Sequence, residues 1–449
     1  MLFDRCQSPV SLSKAESLQE WDSMIQAFLA HGTATPQHLG AVLAAEPAFA
    51  MGHAARGLFS MLMGRAELVE TAREALAAAK SARAKGPVTR REALWIQALE
   101  LWLAGRPTGV VVAMEEVLDA HPSDTLSAKV SHAVRFILGD AAGMRRSIER
   151  LLPAHDESHA FRGYLMGCHA FALEETGDYA LAEQAGRTGL EHAPDDAWGL
   201  HAVAHVCDMT ARASDGIALI ESHKSAWDHC NNFRYHVWWH KALLHMDRAE
   251  CDVALGLYDA QIRADKTDDY RDISNATSLL LRLELEGIDV GNRWEELADL
   301  SERRIDDGCV VFADLHYMLA LSGADRPDAR AAMTARFSRD ATRAGEMQQR
   351  YAHPGVAALS GLNAFAEARY DAAFTDLSHA RDQMQSIGGS HAQRDVFERL
   401  TIDAGLRAGR FDEAEAILSA RQALRAGLPD TYTLTRRASL DAARQIQAQ

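Results

Sequence analysis

The chain has 449 residues, 47% apolar and 24% charged, enough for one large helical array or up to about three compact domains. Its 47 basic and 63 acidic residues give a formal net charge of −16. A uniformly negative molecule repels phosphate backbones and anionic lipid, so nucleic acid and membrane surfaces are excluded as expected partners.

The opening stretch, MLFDRCQSPVSLSKAE, has no apolar core of signal-peptide length. No window reaches the roughly 18 apolar residues of a spanning helix. Six scattered cysteines without a CxxC pair read as reduced thiols, which places the expectation in the cytoplasm.

Taken in chain order, Ala, Leu, Glu, Gln and Arg dominate in helical periodicity and alternating strand runs are missing, so an all-α fold is predicted. Residues 1–125 read as degenerate helical repeats punctuated by Pro36, Pro47, Pro87, Pro107 and Pro122. Residues 126–400 carry the clearest units. Phe161 to Asp196 predicts a helix ending at a Gly177-Asp178 turn, then a second helix with small residues at Ala180 and Ala182, and Pro194 opening the next unit. The pattern returns from Val237, from Gly361 and from Asp403, the last within a capping repeat and tail over 401–449. One hairpin cannot bury its own apolar face, so the hairpins must stack. The expectation is a single domain over 1–449: tetratricopeptide-like helical hairpins forming a superhelix with a concave pocket. Array ends expose apolar faces and so can pair into a homodimer.

Twenty histidines are present, and four of them keep step with the repeat. His132, His169, His205 and His240 are separated by 37, 36 and 35 residues, near the roughly 34-residue period of such hairpins. Four-residue partners give the pairs His201/His205 and His236/His240, each on one helix face. Later repeats continue the ladder through Asp272 and Asn275, Asp314 and His316, His353, then His391, Arg394 and Asp395. First helices line the concave wall at axis spacings of about 8–10 Å, so their inward side chains can converge on one ligand.

Imidazole trades protons near neutrality and ligates borderline metals. The two HxxxH pairs with Asp272 are candidate catalytic residues. The same four histidines are candidate ligands for a divalent transition metal such as zinc, with a water activated for attack. Without metal, a histidine oriented by Asp272 or Asp314 can act as general base. Trp198, Trp238, Asn275, Asp314, His316, His391 and Arg394 are candidate ligand-binding residues. Ser390 is a natural N-cap for a helix carrying His391 and Arg394 near its positive end, where an anion can be received. No nucleotide-binding, GxSxG or kinase motif is present.

The blocks HAVAHVCDM (from His201), WWHKALLHMDRAECDVALGLYD (from Trp238) and LLLRLELEGIDVGNRW (from Leu279) resemble the tetratricopeptide repeat protein 38-like family. FADLHYMLALSGA (from Phe312) and GGSHAQRDVF (from Gly388) extend the resemblance over roughly residues 160 to 400. It implies the repeat fold, and it places Asp272, Asn275, Asp314, His316, His391 and Arg394 within or beside family-like blocks. Where ordinary scaffolds of this type present Lys, Arg, Asn and Tyr to peptides, this chain presents His and Asp, which favours a compact polar ligand or a metal.

Three functions follow. The first is a His/Asp-dependent hydrolase acting on an amide or ester of a small polar molecule. The second is a non-catalytic scaffold docking a protein partner, and the third a metabolite sensor.

Overall fold

The computed structural model describes residues 1–447. The chain is overwhelmingly helical, as predicted. Among the described residues, strand pairing is confined to a two-residue antiparallel ladder of Leu2–Phe3 with Pro9–Val10 and one bridge between Gly32 and Cys230. Successive helices pack as hairpins: Ala50–Leu62 on Ala66–Lys85, Arg90–Leu103 on Pro107–Ala120, Arg162–Glu174 on Tyr179–His192, and Val356–Ala366 on Tyr370–Arg381. No described helix is long and apolar enough to cross a membrane.

The hairpin at Phe161 to Asp196 shows how sequence dictates the crossing. Gly177 takes a left-handed φ of 83° at the turn, a conformation glycine adopts without a Cβ penalty. Ala182, Ala185, Gly186 and Gly189 are buried, while Ala180 is exposed. A Cβ on Gly163 would lie 2.6 Å from the Gly189 carbonyl oxygen, so the two backbones approach as closely as they do only because both residues lack side chains.

The chain divides into two compact units, Met1–Val203 with His223–Arg234, and Ala204–Ser222 with Tyr235–Gln449. The helix Ala197–Met209 begins in the first and ends in the second.

In the first unit a buried ion triad fixes the N-terminal segment. The Arg91 guanidinium donates to Asp4 Oδ2 at 2.6 Å and to both Asp124 oxygens at 2.7 and 2.9 Å, and all three side chains are fully buried. Asp124 also caps the helix Thr125–Leu138 by accepting from the Ser127 amide. The segment 223–234 closes back on the early chain, with the Asn231 amide donating to the His31 carbonyl at 2.8 Å.

The second unit has a continuous apolar core running from Trp239 through Leu279, Leu283, Phe312 and Leu359 to Leu400. Its later helices are tied to its earlier ones by charged side chains. Arg425 donates to the Asp208 carbonyl and carboxylate at 2.8 Å and to Asp247 at 3.0 Å. Arg436 donates to the Leu285 carbonyl at 2.7 Å and to Glu286 at 2.9 Å.

Candidate metal centre

Three of the sequence-predicted histidines meet in the second unit. His205 lies on the helix Ala197–Met209, and His236 and His240 lie one turn apart on Phe233–Asp247. All three are buried. One nitrogen from each lies within 4.8 Å of the others. The rings of His205 and His240 are 4.3 Å apart, and His236 Nε2 is 3.1 Å from His240 Nε2. Two nitrogens each about 2.0–2.1 Å from a tetrahedral ion stand about 3.3 Å apart, so the observed spacing is that of adjacent ligands.

The protonation pattern follows from the partners. Asn275 Oδ1 accepts from His236 Nδ1 at 3.2 Å and from Gln393 Nε2 at 3.3 Å. A proton on His236 Nδ1 leaves its Nε2 with a lone pair turned towards His240. This is the arrangement metal-ligating histidines adopt, with the outer nitrogen donating to a fixed oxygen. Gln393 is itself set by its capping box with Ser390 at the start of the helix His391–Arg407. Burial, aided by the nearby His205, pulls His236 down to about 3, and burial holds His240 well below its usual range. Both rings are therefore neutral at physiological pH, as ligation requires.

His201 precedes His205 by one turn, so the helix presents both on one face. Within the first unit its ring packs 5.5 Å from Phe171 and 5.1 Å from Trp198. Trp198 also stands under the Lys129 ammonium, 4.5 Å from the ring centroid. Trp238 carries Lys241 over its ring at 5.2 Å. The tryptophan that stacks on His236, at 5.3 Å, is its neighbour Trp239, which is fully buried.

Asp272 accepts from Thr267 Oγ1 at 2.5 Å, and burial with the adjacent Asp269 pushes it up to about 7. It lies three residues before Asn275, on the same face of Tyr270–Leu285. Asp314 is held elsewhere: Tyr351 donates to it, Arg336 pairs with it at 2.7 Å, and burial lifts it to about 6. Arg394 donates to the Gly389 carbonyl. It also lines, with His391, a separate cavity of about 340 Å³ in the second unit.

His316 donates from Nδ1 to the Phe312 carbonyl at 2.8 Å and packs between Phe312 and Phe397, with its Nε2 buried and unpartnered. Burial pulls it down to about 3. The unfolded chain takes up a proton below about pH 6.5, which the folded ring refuses until far lower, so this residue drains stability as pH falls. The stability gap between wild type and His316→Phe is expected to shift by about 1.4 kcal/mol in favour of the variant between roughly pH 7.5 and 5.5. Urea midpoints at the two pH values measure it, and a pH-independent gap would show that His316 titrates normally.

Of the adjacent Trp238 and Trp239 the sequence lets at most one face a cavity, and the expectation took Trp238. Sequence reasoning passed over Gln393 and Arg282. It also passed over Glu174 and Glu175, two buried acids at the end of the helix Arg162–Glu174. Arg282 had a usable signal, a lone cation in phase with the apolar positions Leu279 and Leu283.

No protein-family model matches the chain. Among solved structures it is similar to human IFIT1, described as a dimer with m7Gppp-AAAA, at 13% identity, covering 98% of this chain and 96% of that one with a TM-score of 0.40. It is also similar to a structure of Naa15/Naa10 bound to HypK-THB, at 11% identity, covering 90% of this chain and 68% of that one with a TM-score of 0.25.

Proposed function

We propose that this chain is a tetratricopeptide-type repeat protein, related to the tetratricopeptide repeat protein 38-like family, that holds a divalent transition metal at His205, His236 and His240 and hydrolyses an amide or ester of a small polar molecule. The observation that carries the metal reading is the outer-sphere arrangement: Asn275 and Gln393 fix His236 with its Nε2 lone pair facing His240 Nε2 across 3.1 Å. Three imidazoles suit zinc. A bound ion would supply Lewis-acid polarisation of a carbonyl and activation of water. The chain's own contributions are to keep the His236 and His240 rings neutral by burial and to orient His236 through Asn275. Asp272, one turn from Asn275, is the residue assigned to proton transfer.

The test is elemental analysis of protein purified without chelator, beside a His205→Ala/His236→Ala variant. About one equivalent of a transition metal in wild type and its loss in the variant is the expected result. Wild type that carries no metal and takes up no zinc on titration would overturn the metal assignment. Cleavage of an activated ester that disappears with the metal and returns with zinc would carry the hydrolase half.

A further inference from the structure

The cavity in the second unit lies apart from the histidine nitrogens: none of His205, His236 and His240 lines it. Its walls mix apolar side chains, Met246 and Phe397 among them, with guanidiniums, Arg282, Arg399, Arg421 and Arg425 among them, and nearly as many carboxylates. The volume, about 340 Å³, suits a small molecule.

These cations are unequally matched. Arg425 has Asp208 and Asp247 as close partners, and Arg421 has Asp395 and Asp430 at 2.5 and 2.7 Å. Arg399 pairs with Asp395 at 2.7 Å. Among the described residues Arg282 has one ion-pair partner, the same Asp395, at 4.0 Å. One carboxylate thus serves three guanidiniums, and Arg282 stands farthest from it. Arg282 is 1% exposed. Its terminal nitrogens donate to the Ser278 and Ala392 carbonyls, at 3.1 and 2.6 Å, and its Nε has no partner.

Burial and the neighbouring Arg399 pull Arg282 down to about 9. A guanidinium keeps its charge in proteins, so Arg282 is a buried cation whose nearest carboxylate, 4.0 Å away, is shared with two closer guanidiniums. The cavity is also lined by His391, Ala392 and Arg394, the opening residues of the 17-residue helix His391–Arg407. The N-terminal end of a helix carries partial positive charge.

We propose that this cavity is a binding site for a small oxyanion-bearing molecule, a phosphate or carboxylate compound, whose anionic group is received by Arg282 at the start of the helix His391–Arg407. The paired guanidiniums wall the site, and the apolar side chains accommodate the rest of the ligand. The inference stands independently of the histidine cluster, because it needs neither the metal nor any of its ligands.

Isothermal titration of the full-length protein with inorganic phosphate and, separately, with succinate tests it. At least one of the two is expected to bind saturably, with affinity reduced about tenfold or more in Arg282→Met. Binding of phosphate alone assigns the phosphate class, and binding of succinate alone the carboxylate class. Arg282→Lys keeps the buried charge and guards against a folding failure of the methionine variant; its affinity is expected to fall between the other two. Crystals of wild type grown in phosphate, or in succinate, give a readout without mutation, the anion lying within hydrogen-bond distance of Arg282. No binding of either probe at about 10 mM, or binding unchanged in both Arg282 variants, overturns the proposal.

Discussion

Arg91→Met is expected to destabilise the first unit by about 3–5 kcal/mol, because it strands two carboxylates in a dry interior. Asp4 and Asp124 are fully buried, and Arg91 is the cation that pairs with both. Their other partners are modest: Trp21 Nε1 donates to Asp4 at 3.3 Å, and the Ser127 hydroxyl donates to Asp124 at 2.7 Å. For a unit of this size the loss corresponds to a fall in Tm of about 10 °C. Methionine approximates the volume of the arginine stem, so little of the effect is cavity formation. Adding Asp4→Asn and Asp124→Asn to Arg91→Met separates charge from packing. Asparagine still caps the helix Thr125–Leu138, and the triple variant is expected to recover a large part of the loss. Thermal unfolding of the three proteins decides it. No recovery in the triple variant would assign the damage to packing.

Asn275→Leu is expected to weaken zinc binding about 10–100-fold without touching a ligand. Asn275 Oδ1 is the acceptor that holds the His236 proton on Nδ1. Without it the ring is free to turn or to move its proton to the nitrogen needed for the ion, and Gln393 Nε2 loses a partner as well. Asn275→Asp keeps an acceptor in the same place and is expected to stay much closer to wild type. Competition titration against a chromophoric chelator measures all three. Equal affinity in Asn275→Leu would show that the histidines bind without an outer partner.

The helical hairpins are legible in the sequence because their causes are local. Gly177 and the Ala182–Gly189 face specify a turn and a close crossing within one stretch of chain. The i, i+4 histidines are legible for the same reason, since one helix turn fixes their common face. What sequence spacing does not resolve is the choice between neighbours whose burial depends on other helices. Trp238 and Trp239 are adjacent and equally apolar; helix phase alone sets Trp239 beside His236, but its full burial, with Arg282 of Tyr270–Leu285 over its ring while Trp238 stays part-exposed, depends on another helix. Asp314 shows the same difficulty in another form. Its place in the ladder marks it as inward-facing, but its partner Tyr351 lies 37 residues away, and nothing in the local pattern announces that contact. Arg282 reads as a break in the run LLLRLELEG until Asp395 and the Ala392 carbonyl, more than a hundred residues later, give it a setting.

The long-range ties of the second unit set a timetable for its synthesis. Asp208 receives its cation from Arg425, 217 residues further along the chain. At the usual pace of about 5–20 residues per second, that partner emerges about 10–40 s after the carboxylate. The helices bearing Asp208, Asp247 and Leu285 therefore leave the ribosome well before the groups that complete them, with apolar faces formed and acids unmatched. During that interval the half-made array is a substrate for chaperones and for its own neighbours on the polysome.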